Sequence, residues 1–299
     1  MRMKQENPET LQNALNLTNF IRYVAGLPDD VVYDEEWCRI CNCGSELNRM
    51  HGELNHHPSK PSSVTKEFYD RGYLGTSSSN LAMGSSNLAD SILLYMIDPG
   101  ESNYAKGHRT WILQPYLGVV GFGKSQSYYS MYVTEGQYGF CNREGEFSKG
   151  YYYWPAHNMP MELYTDNYWD KHGPSLYLSG EYDSMEAENI TLQVKSKKRG
   201  KTWTLRGNQG TYESGLYMRV YEKYLVFDTG LYPKGDEVTV TVKGTRINGV
   251  DAPIVYTMNF FSLEDIDVSA IPVESVTVSS NTLELCEGDS TKIKAKILP

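Results

Sequence analysis

The sequence predicts an α+β protein, with helices and a small sheet in its first half and β structure alone in its second. Three observations carry that expectation. Apolar residues recur at helical spacing up to Met96. An aromatic-rich hairpin, Leu117–Thr134, follows those helices and needs them to cover a sheet. From Tyr151 onward, short apolar runs alternate with turn signals, and no long helical pattern interrupts them.

The first helix starts at Asn7-Pro8-Glu9, with Asn as N-cap, Pro in the first turn and an acidic residue beside it. Leu11, Ala14, Leu15, Leu17, Ile21 and Val24 share one half of its wheel, and Gly26 stops it before Pro28. A second helix begins at Asp34 and places Trp37, Ile40, Leu47, Met50 and Leu54 on one face, with His51 expected as a packed core histidine. It is expected to end at Leu54-Asn55-His56-His57-Pro58. Ser62 or Ser63 could cap a third helix running through Tyr69, followed by a loop over residues 72–79. Leu88, Ala89, Ile92, Tyr95 and Met96 form the apolar face of a fourth, capped by Ser85 or Ser86 and ended by Asp98-Pro99-Gly100. Gly107-His108-Arg109 reads as a turn, after which Trp111, Ile112 and Leu113 return to the core.

The second half offers runs at 175–178, 190–194, 202–205, 225–227, 238–242 and 255–261, separated by signals such as Asn208-Gln209-Gly210 and Asn248-Gly249. They are expected to form an Ig-like β-sandwich over residues 150–265. Residues 265–272 read as a linker. The final stretch, VESVTVSSNTLELCEGDSTKIKAKILP, resembles the opening of a bacterial Ig-like group 2 domain. Its 27 residues are too few for a whole one, so a truncated third β domain is expected over 272–299.

With 299 residues and a net charge of −9, the chain is unsuited to nucleic acid or anionic lipid headgroups, which need basic patches. The one basic cluster, Lys195–Lys201, reads as a solvated β-turn. Tyrosine is abundant, 24 residues against 8 phenylalanines, a balance suited to extracellular β proteins and binding surfaces. The Tyr151–Trp154 run could stack on sugars but fits strand packing better. No run is long enough to cross a membrane, and the N-terminus lacks a secretory core, so an exported form would have shed its signal peptide. Five cysteines form no even framework. On a helix Cys38 and Cys41 lie close while Cys43 falls opposite, so they are expected as buried free thiols rather than zinc ligands. Cys141 and Cys286 stand apart.

Four spaced pieces carry a family resemblance: Ser79-Asn80-Leu81-Ala82; a helix ending in Asp98-Pro99-Gly100; Gly107-His108-Arg109-x-Trp-Ile-Leu-x-Pro; and Gly118-Val-Val-Gly-Phe-Gly. Together they resemble the bacterial branch of the CAP superfamily, which groups cysteine-rich secretory proteins, antigen 5 and plant pathogenesis-related class 1 proteins. The resemblance covers roughly residues 8–145. It implies a three-layer α-β-α sandwich, SCP-like, with a cleft holding two histidines and two acidic residues, where many members bind a divalent metal such as zinc.

Carried over by position, His56 and His108 fit the two histidines and the metal ligands, with His57 as the fallback. One acidic position is occupied by Ser79, and Asp98 is the nearest match to the other. Glu53 could supply a replacement carboxylate, and Arg109 could pair with Asp98 or Asp90. A Ser79–His108 nucleophile pair lacks the surrounding pattern such a serine needs. Losing one carboxylate weakens the case for an activated water. The implied function is an exported or cell-surface, non-catalytic binding or adhesion protein, whose partner is an unknown extracellular protein, glycan or small ligand. A metal-dependent hydrolase of peptide or cell-envelope substrates and a carrier of an apolar ligand are the alternatives.

Overall fold

The computed structural model describes residues 7–134, 150–164, 173–266, 275–278 and 295–298. The chain divides into two units, Met1–Phe261 and Ser262–Pro299.

Helix α1, Pro8–Val24, begins where Asn7 accepts a hydrogen bond from the Glu9 N–H and buries Leu11, Ala14, Leu15 and Ile21. After the short strand β1, Val32–Tyr33, helix α2 spans Glu35–His51. Asp34 caps it at Trp37, and Gly52 ends it in the left-handed region at φ 74°. His51 is exposed rather than packed in the core, and its Nε2 lies 2.8 Å from the Ser59 carbonyl. The helix ends one turn before Leu54 and turns its last residues to solvent, which overturns the expectation for His51.

Helix α3, Lys66–Ser77, starts at a Thr65 cap and runs through the stretch expected as a loop. The glycines that suggested a loop serve close packing instead. A Cβ on Gly75 would lie 2.3 Å from the Ile40 carbonyl oxygen, and one on Gly72 would lie 2.6 Å from Leu47 Cδ1. Each interior glycine costs a helix about 1 kcal/mol. Here it permits α2 and α3 to meet backbone to backbone.

Strand β2, Ser79–Met83, leads to α4, Leu88–Ile97, whose cap is Asn87 rather than a serine. The Gly107-His108-Arg109 stretch is the first turn of a short helix, α5, Gly107–Ile112, not an open turn. The hairpin follows as β3, Val119–Ser125, and β4, Tyr128–Tyr132. The sheet order is β1-β3-β4-β2, with β1 parallel to β3 and the other pairs antiparallel. Helices α2 and α3 cover one face; α4, backed by α1, covers the other. The α2 layer comes close because β3 offers glycines there. A Cβ on Gly121 would lie 2.6 Å from the Trp37 backbone, and one on Gly123 would lie 2.4 Å from the Asn42 nitrogen. This is an α-β-α sandwich.

The second half contributes β5 (Tyr151–Trp154), β6 (Asn158–Pro160), the short α6 (Met161–Tyr164), β7 (Ser175–Leu178), β8 (Thr191–Ser196) and β9 (Lys201–Arg206). There follow β10 (Gln209–Thr211), β11 (Leu216–Val220), β12 (Tyr224–Asp228), β13 (Glu237–Lys243), β14 (Arg246–Ile247), β15 (Val250–Asp251) and β16 (Ile254–Phe261). Two five-stranded sheets result, ordered β10-β11-β12-β7-β5 and β6-β16-β13-β8-β9, and β14 pairs with β15 as a separate hairpin. The basic cluster lies at the turn joining β8 to β9, with Lys201 and Arg199 stacked over Trp203. The tyrosine run forms β5, and its rings pack on others: Tyr152 stacks on Tyr177, and Tyr153 on Tyr256.

One hydrophobic cluster runs from Leu11 in α1 to Phe260 in β16, so both halves of the first unit share a core. In the second unit, β17 (Ser275–Val278) pairs antiparallel with β18 (Ala295–Leu298). Most of the expected linker, together with Cys141 and Cys286, lies outside the described residues.

Candidate functional site

The site is built where α4 stops. Its last carbonyls have no partner inside the helix and must find one elsewhere. Two buried cations supply it. Lys106 Nζ donates to the carbonyls of Ile97 (3.2 Å) and Asp98 (2.8 Å). Arg109 Nε donates to Met96 O (2.6 Å), and its Nη2 to Ile97 O (3.4 Å). From the same guanidinium, Nη1 donates to Gly173 O (2.6 Å) and Ser175 Oγ (3.2 Å) at the start of β7. Arg109 is therefore a clamp on carbonyl and hydroxyl oxygens across the two halves of the unit. The Asp98 charge favours its charged form, in keeping with the pairing the sequence had suggested.

Asp98 closes α4 in the left-handed region, at φ 51°, and is 1% exposed. Both of its carboxylate oxygens are engaged by His108. The His108 backbone N–H donates to Oδ2 (2.9 Å), and the ring Nδ1 lies 2.7 Å from Oδ1. A carboxylate oxygen so placed accepts, so Nδ1 carries the proton and Nε2 is left for the cleft. Asn80 adds a further tie, donating through Nδ2 to the His108 carbonyl at 3.0 Å.

His56 is positioned in the same way from the opposite wall. Past Gly52 the chain folds back, with the Asn55 N–H on Asn48 Oδ1 at 3.1 Å. His56 Nδ1 lies 2.7 Å from the Thr76 carbonyl, and the Thr76 hydroxyl donates to the His56 carbonyl at 3.0 Å. A carbonyl can only accept, so this Nδ1 is also protonated and the Nε2 of a neutral ring is the free nitrogen. Burial pushes the His56 pKa down, against the Thr76 bond that raises it, and the two neighbouring histidines lower it further.

Between these walls lies a cleft of about 400 Å³. His56, His108 and Asp98 line it, beside Leu54, Leu81, Met83, Leu94 and Tyr95. The other sequence candidates lie elsewhere. His57 is exposed, with Nδ1 3.1 Å from the Tyr73 hydroxyl. Ser79 is buried under α2, its Oγ 3.8 Å from Cys41 Sγ. Glu53 is exposed and accepts from Asn55 Nδ2 at 3.3 Å. Thr76 and Lys106, which hold the two histidine walls, escaped sequence reasoning: one acts through its carbonyl, the other as a solitary basic residue in a loop.

A metal in this cleft would have two imidazoles, those of His56 and His108, as side-chain donors. Among the described residues, no group of three or more His, Cys, Asp or Glu side chains is placed to hold one. Bound to His56 and His108, a divalent cation would supply an electrophile at the cleft wall. Both histidines already have the oriented Nδ1 contacts that metal-binding histidines use. Cys38, Cys41 and Cys43 are free and buried. Burial pushes the Cys38 thiol up to about 11, and raises Cys41 and Cys43 as well. They remain thiols at neutral pH, unsuited to metal or nucleophilic roles.

Residues 15–142 match the model of a family described as CAP, the cysteine-rich secretory protein family. The comparison with curated proteins gave no match. A solved structure described as an extracellular protein containing a SCP domain, from Bacillus anthracis str. Ames, is similar at 21% identity and a TM-score of 0.33. The similarity covers 44% of this chain and 43% of that one, so less than half of either length is shared.

Proposed function

We propose, since residues 15–142 match the CAP family model, that this chain is an extracellular, non-catalytic binding protein whose cleft carries a divalent metal on His56 and His108. The observation behind the metal is the matched tethering of the two rings. Each has its Nδ1 engaged, one by Thr76 O and the other by Asp98 Oδ1, and both side chains line one cleft.

The carboxylate chemistry supports the non-catalytic half. A water activated beside the metal needs a base, and Asp98 is the carboxylate lining this cleft. Both its oxygens already accept from His108, and Glu53 points to solvent. No helix among the described residues is long and apolar enough to cross a membrane. Leu54, Leu81, Met83 and Leu94 give the cleft an apolar rim, which favours a ligand with apolar groups over a simple sugar.

Calorimetric titration of the metal-free protein with zinc tests the proposal, repeated on His56→Ala and His108→Ala. Wild type is expected to bind one equivalent and each variant none. A wild type that takes no zinc removes the metal. Turnover of a fluorogenic peptide pool by the zinc-loaded protein, lost in His108→Ala, would remove the non-catalytic half.

A further inference from the structure

The cleft contains an open sheet edge. In the order β1-β3-β4-β2, strand β2 comes last, so among the described residues only one of its sides pairs with a neighbour. Register decides which backbone groups face outward. The Val133 N–H donates to Ser78 O, and the Gly84 N–H donates to Ser127 O. These bonds bracket the ladder from Ser79↔Tyr132 to Met83↔Tyr128. Antiparallel pairs alternate between bonded and unbonded. Asn80 and Ala82 therefore turn their amides toward β4, and Ser79, Leu81 and Met83 turn theirs away from it.

Leu81 and Met83 line the same cleft as His56 and His108. Among the described residues, no hydrogen bond reaches their outward N–H or C=O groups. Met83 is 49% exposed, but Leu81 is only 4% exposed, and an unmet amide that sheltered is costly. Sequence devices that normally blunt an edge are missing: Ser79–Met83 holds no proline and no charge.

We infer that the cleft takes an extended peptide, added to β2 as a further strand, with its backbone passing in front of the two imidazoles. This deepens the binding reading of the cleft and rests on it. The occupant must present N–H and C=O groups two residues apart, roughly 7 Å at strand spacing. Extended polypeptide backbone does so; an acyl chain has no donors, and a sugar does not repeat them at that interval. Alternate peptide side chains would face Leu54 and Leu94, while the metal or the imidazoles would meet a peptide carbonyl.

The test uses the full chain, with amide hydrogen exchange followed by NMR. The probe is a pool of N-acetylated, C-amidated hexapeptides randomised over Val, Thr, Leu, Ser and Lys. Exchange at the Leu81 and Met83 amides is expected to slow at least tenfold at saturating pool, with Ala82 unchanged. A fully N-methylated pool is expected to give no protection. Proline is tolerated where an edge N–H faces outward, so Met83→Pro is expected to weaken peptide binding about fivefold, one net hydrogen bond, while Met83→Ala stays within twofold.

No protection at Leu81 and Met83, or equal protection by the N-methylated pool, overturns the inference. So does palmitate occupying the cleft while Met83→Pro leaves peptide binding intact. If Met83→Pro fails to fold, the wild-type protection pattern still decides. Zinc titration reports separately: peptide protection without zinc binding would end the metal proposal and leave this one standing.

Discussion

Arg109 and His56 show how individual side chains sustain the cleft. The Arg109 guanidinium is buried, and its fork holds oxygens from Met96, Ile97, Gly173 and Ser175. Arg109→Met keeps the bulk but leaves those oxygens without this donor. At one to three kcal/mol for each charged bond, a loss of about 4 kcal/mol is expected. Urea unfolding checks it, as a lower midpoint with an unchanged slope. His56 makes a pH prediction. Its folded pKa lies below the ordinary value of about 6.5, because burial disfavours the charged ring. Below that value the unfolded chain takes up a proton before the folded one does. The contribution from neutral His56 is therefore complete above about pH 6.5 and is lost as pH falls toward the lower folded pKa. Wild type is expected to lose more stability than His56→Gln between about pH 7 and about pH 5, read from paired urea titrations. Equal losses would contradict the assignment of a neutral ring held by the Thr76 carbonyl.

At the scale of elements, packing overrode the local signals. Helix α3 was hidden because Gly72 and Gly75 look like loop residues to any propensity argument. Only the approach of α2 explains them. Gly75→Ala would drive a Cβ to 2.3 Å from Ile40 O, so a loss of about 3 kcal/mol or more is expected. Gly107→Ala, where the added Cβ meets nothing within 4 Å, is expected to be neutral or slightly stabilising. Thermal melts of the pair separate close packing from general helix propensity. Other elements were legible because their signals are local. Asn7 and Asp34 cap α1 and α2 through their own side chains, and the hairpin is bounded by its own turn. The shift of the α4 cap from serine to Asn87 is the same chemistry one residue on, since all three side chains can accept there.

For the whole molecule, the change in sequence grammar near Tyr151 marked a real change of architecture, from a layered α-β-α half to paired sheets. Composition could not show that the two halves share a core, because that depends on which faces meet. His56 and His108 were readable from a resemblance in spacing. The oxygens that orient them were not, since Thr76 acts through a backbone carbonyl that carries no residue signature. A chain ending at Thr134 would keep both cleft histidines yet lose the β7 partners of Arg109. It is expected to elute as aggregate or to bind the dye ANS strongly, whereas a chain ending at Phe261 gives one cooperative melt. The bond from Arg109 to Gly173 thus bears on which stretch could be moved as a unit, as well as on stability. A recombination event that moved only the stretch outlined by the family match would carry a buried cation away from its Gly173 and Ser175 acceptors. As a packed unit, this module reaches well past the boundary its family likeness draws.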